Sequence, residues 1–198
     1  IEKVDFDIAA SGYALCIVDT GGNHADLTHE YAAITDEMRA ISNSLGCNYL
    51  RETTKRELLA KLPELRKSHG DRAVLRAMHF LSDNERVVKQ VEALSHNDFE
   101  RFKQLIIESG RSSFCYLQNV FSCSAPKEQG LSLALCLAEN LLAGKGAWRV
   151  HGGGFGGTTQ NFVPVDLQDD FIALMENAFG AGSCHVLSIR PVGGVEIR

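Results

Sequence analysis

Two apolar runs, 147–150 and 160–165, flank Gly152-Gly153-Gly154-Phe155-Gly156-Gly157, which holds five of the chain's eighteen glycines in six positions. Glycine lacks Cβ, so it reaches φ > 0 and lets other groups come close to the backbone, at an ordering cost of about 0.5–1 kcal/mol per residue relative to Ala in regular structure. One or two glycines would serve a hairpin turn, so five point to a loop that meets something. The hydrophobic period falls from 3.6 towards 2 around the run, which is therefore read as joining two strands.

That setting disposes of two nucleotide motifs. Gly152, Gly154 and Gly157 formally satisfy G-x-G-x-x-G, but the dinucleotide fingerprint has to open a helix. Here Thr158-Thr159-Gln160-Asn161-Phe162-Val163 continues as strand, and no acidic residue follows at the right place in a βαβ unit. A Walker loop fails because no Gly-Lys-Ser/Thr follows the glycines. The functional reading is a loop whose backbone N–H groups face an anion or substrate. The plainer alternative is a sterically tight hairpin against a helix.

Elsewhere, the residues at 13–19 read as a buried strand stopped by Thr20-Gly21-Gly22-Asn23. Asp26 is expected to cap a helix reaching about 42, with Tyr31 early in it and close to the turn. Further helices are expected at 55–62 ahead of Pro63, 70–94, 97 or 98 to 109–110, 127–142 and 169–179, with a loop-like stretch at 111–126. Strands at 184–189 and 195–197 would close the chain around Pro191-Val192-Gly193-Gly194. Strands at both ends with long helices between them predict an α+β fold, a mostly antiparallel sheet with helices packed on one face, as a single domain over 1–198.

Charge and composition narrow the function. A net charge of -5 with dispersed Lys and Arg argues against nucleic acid as a partner. Apolar runs such as 131–137 are far shorter than the ~20 residues a membrane helix needs, and no signal-like leader opens the chain. Six cysteines with no CxxC pair and no zinc spacing read as reduced core thiols of a cytoplasmic protein, without a metal site. His24, His79 and His151 each stand apart from a Ser, Cys or carboxylate at a motif spacing and are read as structural. Asp166, Asp169 and Asp170 read as a helix N-terminal charge cluster.

Four segments in order then carry a resemblance: Val18-Asp19-Thr20-Gly21-Gly22-Asn23-His24 with Tyr31, Arg76-Ala77-Met78-His79, Leu105-Ile106-Ile107-Glu108-Ser109, and His151 with the glycine run to Gly157. Along nearly the whole chain they resemble the C-terminal half of galactokinases, members of the GHMP family of small-molecule kinases. The resemblance implies ATP-dependent phosphorylation of galactose at its anomeric hydroxyl, with ATP and Mg2+ serving the full-length enzyme. It implies that the phosphate-binding loop, catalytic Asp and magnesium ligands lie in an N-terminal domain outside these residues, in keeping with a chain that starts at Ile1 rather than Met. No catalytic residue is then expected here, and the chain alone should not turn over. Tyr31 resembles the tyrosine whose hydroxyl contacts the sugar, and Gly152, Gly153, Gly154, Phe155, Gly156 and Gly157 resemble the loop closing over sugar and phosphate. Two positions depart from the pattern: Gly-Gly-Asn-His replaces a common Asn-Val-Arg-His, and Thr158 stands where Cys is common. A kinase-derived sugar and ATP sensor, or a GHMP kinase for another sugar, stays open, as does dimerisation through the exposed interdomain face.

Overall fold

Alternation of apolar side chains makes β1 (Tyr13–Asp19) the centre of the sheet, with Ala14, Cys16 and Val18 buried. A computed structural model describes residues 4, 6–22 and 27–189. The elements after β1 are α1 (Thr28–Ser44), α2 (Lys55–Ala60), α3 (Leu62–Ser95), α4 (Phe99–Ser112), α5 (Gly130–Leu142), β2 (Ala147–His151), β3 (Thr158–Pro164), α6 (Gln168–Phe179) and β4 (Cys184–Leu187). Strand order is β2-β3-β1-β4, antiparallel throughout.

Register decides where the turns meet. Asp19 pairs with Thr158, and Thr158 pairs with His151, so the turn leaving β1 and the loop joining β2 to β3 emerge at one end of the sheet. The α+β class and the antiparallel sheet agree with expectation. Helices α5 and α6 pack with Ala14, Cys16, Val18, Trp148 and Val163 in one cluster, where Phe171 and Met175 are fully buried. Each such side chain contributes about 1.5–3 kcal/mol on leaving water. Phe99 and Ile106 of α4 pack with Ala147 and Phe162, which alternate with that first set along β2 and β3. A separate cluster of Ile41, Leu58, Leu65, Val74, Ala77 and Leu81 joins α1 and α2 to α3.

The helices differ from expectation at their ends, for identifiable reasons. Pro63 lies in the first turn of α3 rather than beyond a helix end, where its missing N–H costs nothing. Gly70, at φ 80° and ψ 169°, kinks α3. Gly110 does not stop α4: a Cβ there would lie 3.0 Å from Arg149 Cβ and 3.1 Å from Trp148 O, so the glycine serves close helix–strand packing. Beyond α4 the chain continues as a π-helical turn, Ser113–Leu117, where a loop was expected. Asp98 caps α4 by accepting from Arg101 N–H at 2.9 Å. Asp26, His24 and the expected 195–197 strand with its turn lie outside the described residues.

The cysteine reading needs correction in part. All six are free, but only Cys16 and Cys184 are buried, while Cys115, Cys123 and Cys136 are exposed. Apolar sequence neighbours do not place a residue on a buried face of a helix or turn. Cys16 hydrogen-bonds Cys184, which together with burial holds its thiol protonated. Among the described residues no helix is long and apolar enough to cross a membrane.

Candidate functional site

Two glycine turns touch at the end of the sheet. Asp19 Oδ1 accepts from the Gly21 N–H at 2.9 Å, bending the chain out of β1 with Gly21 at φ 67°. A Cβ on Gly22 would fall 2.6 Å from the carbonyl oxygen of Gly156, so backbone meets backbone there. Thr20 Oγ1 donates to Gly157 O at 3.0 Å. The need for glycine at 22 follows from this approach and not from turn geometry alone.

Tyr31, in the first turn of α1, reaches the loop from one side. Its hydroxyl donates to Gly154 O at 2.8 Å, and its ring lies where a Cβ on Gly153 would be, 2.7 Å from Tyr31 Cε1. Phe155 meets the same ring edge-on at 5.2 Å between centroids. Burial pushes the Tyr31 phenol above its ordinary value, so it stays a hydrogen-bond donor at neutral pH.

Asn119 holds the loop from the other side. Its Nδ2 donates to Gly153 O at 3.2 Å, its carbonyl oxygen accepts from Phe155 N–H at 2.6 Å, and its Oδ1 accepts from Ser113 Oγ at 2.6 Å. Phe155 is buried and held at φ 60°. That left-handed conformation costs a non-glycine residue about 1–3 kcal/mol and persists only where surroundings impose it. At φ 84° Gly154 rests so close to Asn119 O that a Cβ has no room. The expected cradle of consecutive N–H groups is thus partly taken up within the protein, since Phe155 and Gly156 donate to Asn119 O and Gly154 O. Beside the two turns lies a cavity of about 380 Å³, lined among others by Gly21, Gly22, Ser122, Lys127 and Gly156.

A second polar cluster lies between α3, α4 and β2. His79 is buried, with Nδ1 2.9 Å from Ser112 Oγ, and burial lowers its pKa despite the carboxylate of Asp83. Ser109 Oγ donates to Asp83 Oδ1 and accepts from Arg149 Nη1, both at 2.7 Å. Arg86 Nη1 also donates to Asp83, at 2.7 Å. Nearby, Arg76, 1% exposed, donates to Glu37 Oε2 at 2.9 Å and Leu117 O at 3.1 Å, tying α1 and α3 to the π-helical turn. Exposed His151 has Nδ1 3.1 Å from Thr158 Oγ1. Among the described residues no group of three or more His, Cys, Asp and Glu could hold a metal ion.

No protein-family model matches the chain. Individual proteins do. The chain is 30% identical to the galactokinase of Actinobacillus pleuropneumoniae serotype 5b over 153 residues, 77% of this chain and 38% of that protein. It is 34% identical to the galactokinase of Thermotoga neapolitana over 146 residues, 74% of this chain and 37% of that protein. The chain is a galactokinase homologue. Its fold resembles the crystal structure of Lactococcus lactis galactokinase complexed with galactose, with a TM-score of 0.68 at 20% identity, over 92% of this chain and 46% of that one. The chain spans 38% of the length of its Actinobacillus relative.

The structure of this galactokinase homologue brings together Tyr31 and the loop residues Gly153, Gly154 and Phe155. Of the Arg76–His79 and Leu105–Ser109 segments, Arg76, His79 and Ser109 make buried polar contacts elsewhere, while Leu105 and Ile106 are buried in the apolar core and Glu108 is exposed. Sequence reading assigned nothing to Asn119. Its sequence neighbours, Gln118 and Val120, give no signal; only the fold buries its amide, which must then find partners.

Proposed function

We propose that the chain is the C-terminal part of a galactokinase. In this reading an N-terminal domain binds ATP, supplies the catalytic Asp and the magnesium ligands, and closes over galactose against this chain. The γ-phosphoryl group passes to the anomeric hydroxyl in a reaction governed by positioning and charge stabilisation. The carrying observation is the meeting of Tyr31 with the glycine loop at 2.8 Å, which turns two sequence-distant segments into one surface. Tyr31 and the residues Gly152, Gly153, Gly154, Phe155, Gly156 and Gly157 are read as the sugar- and phosphate-facing side of that site.

The described residues offer no group of His, Cys, Asp and Glu that could hold Mg2+, so in this reading the ion belongs to the N-terminal domain. The reading also brings a cytoplasmic setting, supported by six free cysteines. A coupled ADP-release assay tests it. The full-length protein should release ADP only with galactose present, and the 198-residue chain alone should not. Galactose binding without turnover by the full-length protein would make it a sensor, and turnover by the isolated chain would place catalytic groups within it.

A further inference from the structure

A loop this rich in glycine has many conformations open to it, so something must select one. Side chains from two different elements take its consecutive carbonyls: Asn119 Nδ2 holds Gly153 O at 3.2 Å and Tyr31 Oη holds Gly154 O at 2.8 Å. We infer that Asn119, oriented by Ser113, is a positioning residue that sets the glycine loop for sugar and phosphate. The inference rests on the sugar-kinase reading and deepens it.

The orientation of the Asn119 amide follows from its partners. Gly153 O can only accept, so the NH2 group must face it, and Oδ1 is left to accept from Ser113 Oγ at 2.6 Å. Ser113 opens the π-helical turn, whose end at Gln118 is left-handed at φ 59° and ψ 49°, and this reversal delivers Asn119 under the loop. The buried Arg76 fastens the turn through Leu117 O and, through Glu37, fastens the helix that carries Tyr31. Both holds on the loop are therefore referred to one rigid frame. The backbone bond from Phe155 N–H to Asn119 O fixes the strained residue between them.

Asn119→Asp separates positioning from packing, because it keeps the shape and the Ser113 acceptor but sets a carboxylate oxygen against Gly153 O. In the full-length protein it should raise amide exchange in the 150–158 segment and lower kcat/KM for galactose, each by about tenfold. Ser113→Ala, which removes only the hydroxyl, should act in the same direction and less. Unchanged loop exchange and kinetics, or a lower Tm with both unchanged, would overturn the inference. If Asn119→Asp does not fold, Ser113→Ala decides by the same two readouts. A wild-type protein without galactose-dependent ADP release would overturn the kinase reading, while the exchange comparison would still judge Asn119.

Discussion

The two polar clusters use hydrogen bonds differently. Around Tyr31 and Asn119, side chains bond to backbone carbonyls of a loop that borders a cavity. Around His79, Asp83, Ser109 and Arg149, side chains bond mainly to one another between α3, α4 and β2. The first arrangement fixes where a backbone lies, which is what the proposed sugar and phosphate loop would need. The second satisfies charges within the interior and joins elements, so its loss falls on stability. Changes at the loop should move binding, and changes at the second cluster should move unfolding.

The largest effect is expected where the loop has no space. Gly154→Ala would set a methyl group against Asn119 O at a positive φ and should destabilise by about 2–4 kcal/mol. Gly152→Ala, at φ 66° with open space around it, should cost only about 1 kcal/mol. Equal midpoint shifts in urea for the two variants would remove the distinction between tight and merely flexible glycines.

Next comes the second cluster. Asp83→Ala strips Arg86 and Ser109 of their shared acceptor and should lower unfolding free energy by about 2–3 kcal/mol. Galactose KM in the full-length protein should stay as in wild type. A shifted KM with unchanged stability would reverse the roles assigned to the two clusters.

His79 provides a pH-dependent version of the same comparison. Burial lowers its pKa below the ordinary 6.5, so the unfolded chain takes up the proton first. Its contribution is complete above about pH 6.5 and is lost as pH falls through the folded value. Replacing His79 with Gln should flatten the stability profile below pH 6.5, which denaturation midpoints across that range would reveal. A wild-type profile with no slope there would contradict a buried neutral imidazole.

Much of the fold was legible because its signals are local. The strand at Tyr13–Asp19 and the β2–β3 hairpin follow from period-2 alternation around glycine turns. Pro63 and Gly110 misled because a proline is as welcome in a first helical turn as beyond a helix end, and Gly110 answers to Trp148 and Arg149, far along the chain. The site divides in the same way. The glycine run declares itself by composition, and Tyr31 through family resemblance. Asn119 acts through its own backbone oxygen and amide across a π-helical turn that no periodicity announces.

The smallest expected change bears most directly on the central claim that Tyr31 and the glycine loop form one sugar-facing surface. Tyr31→Phe keeps the ring against Gly153 and Phe155 and removes only the hydroxyl that holds Gly154 O. A lost bond of about 0.5–1.5 kcal/mol corresponds to a rise in galactose KM of roughly two- to tenfold in the full-length protein. An unchanged KM and kcat would return Tyr31 to a packing role and separate the loop from the sugar.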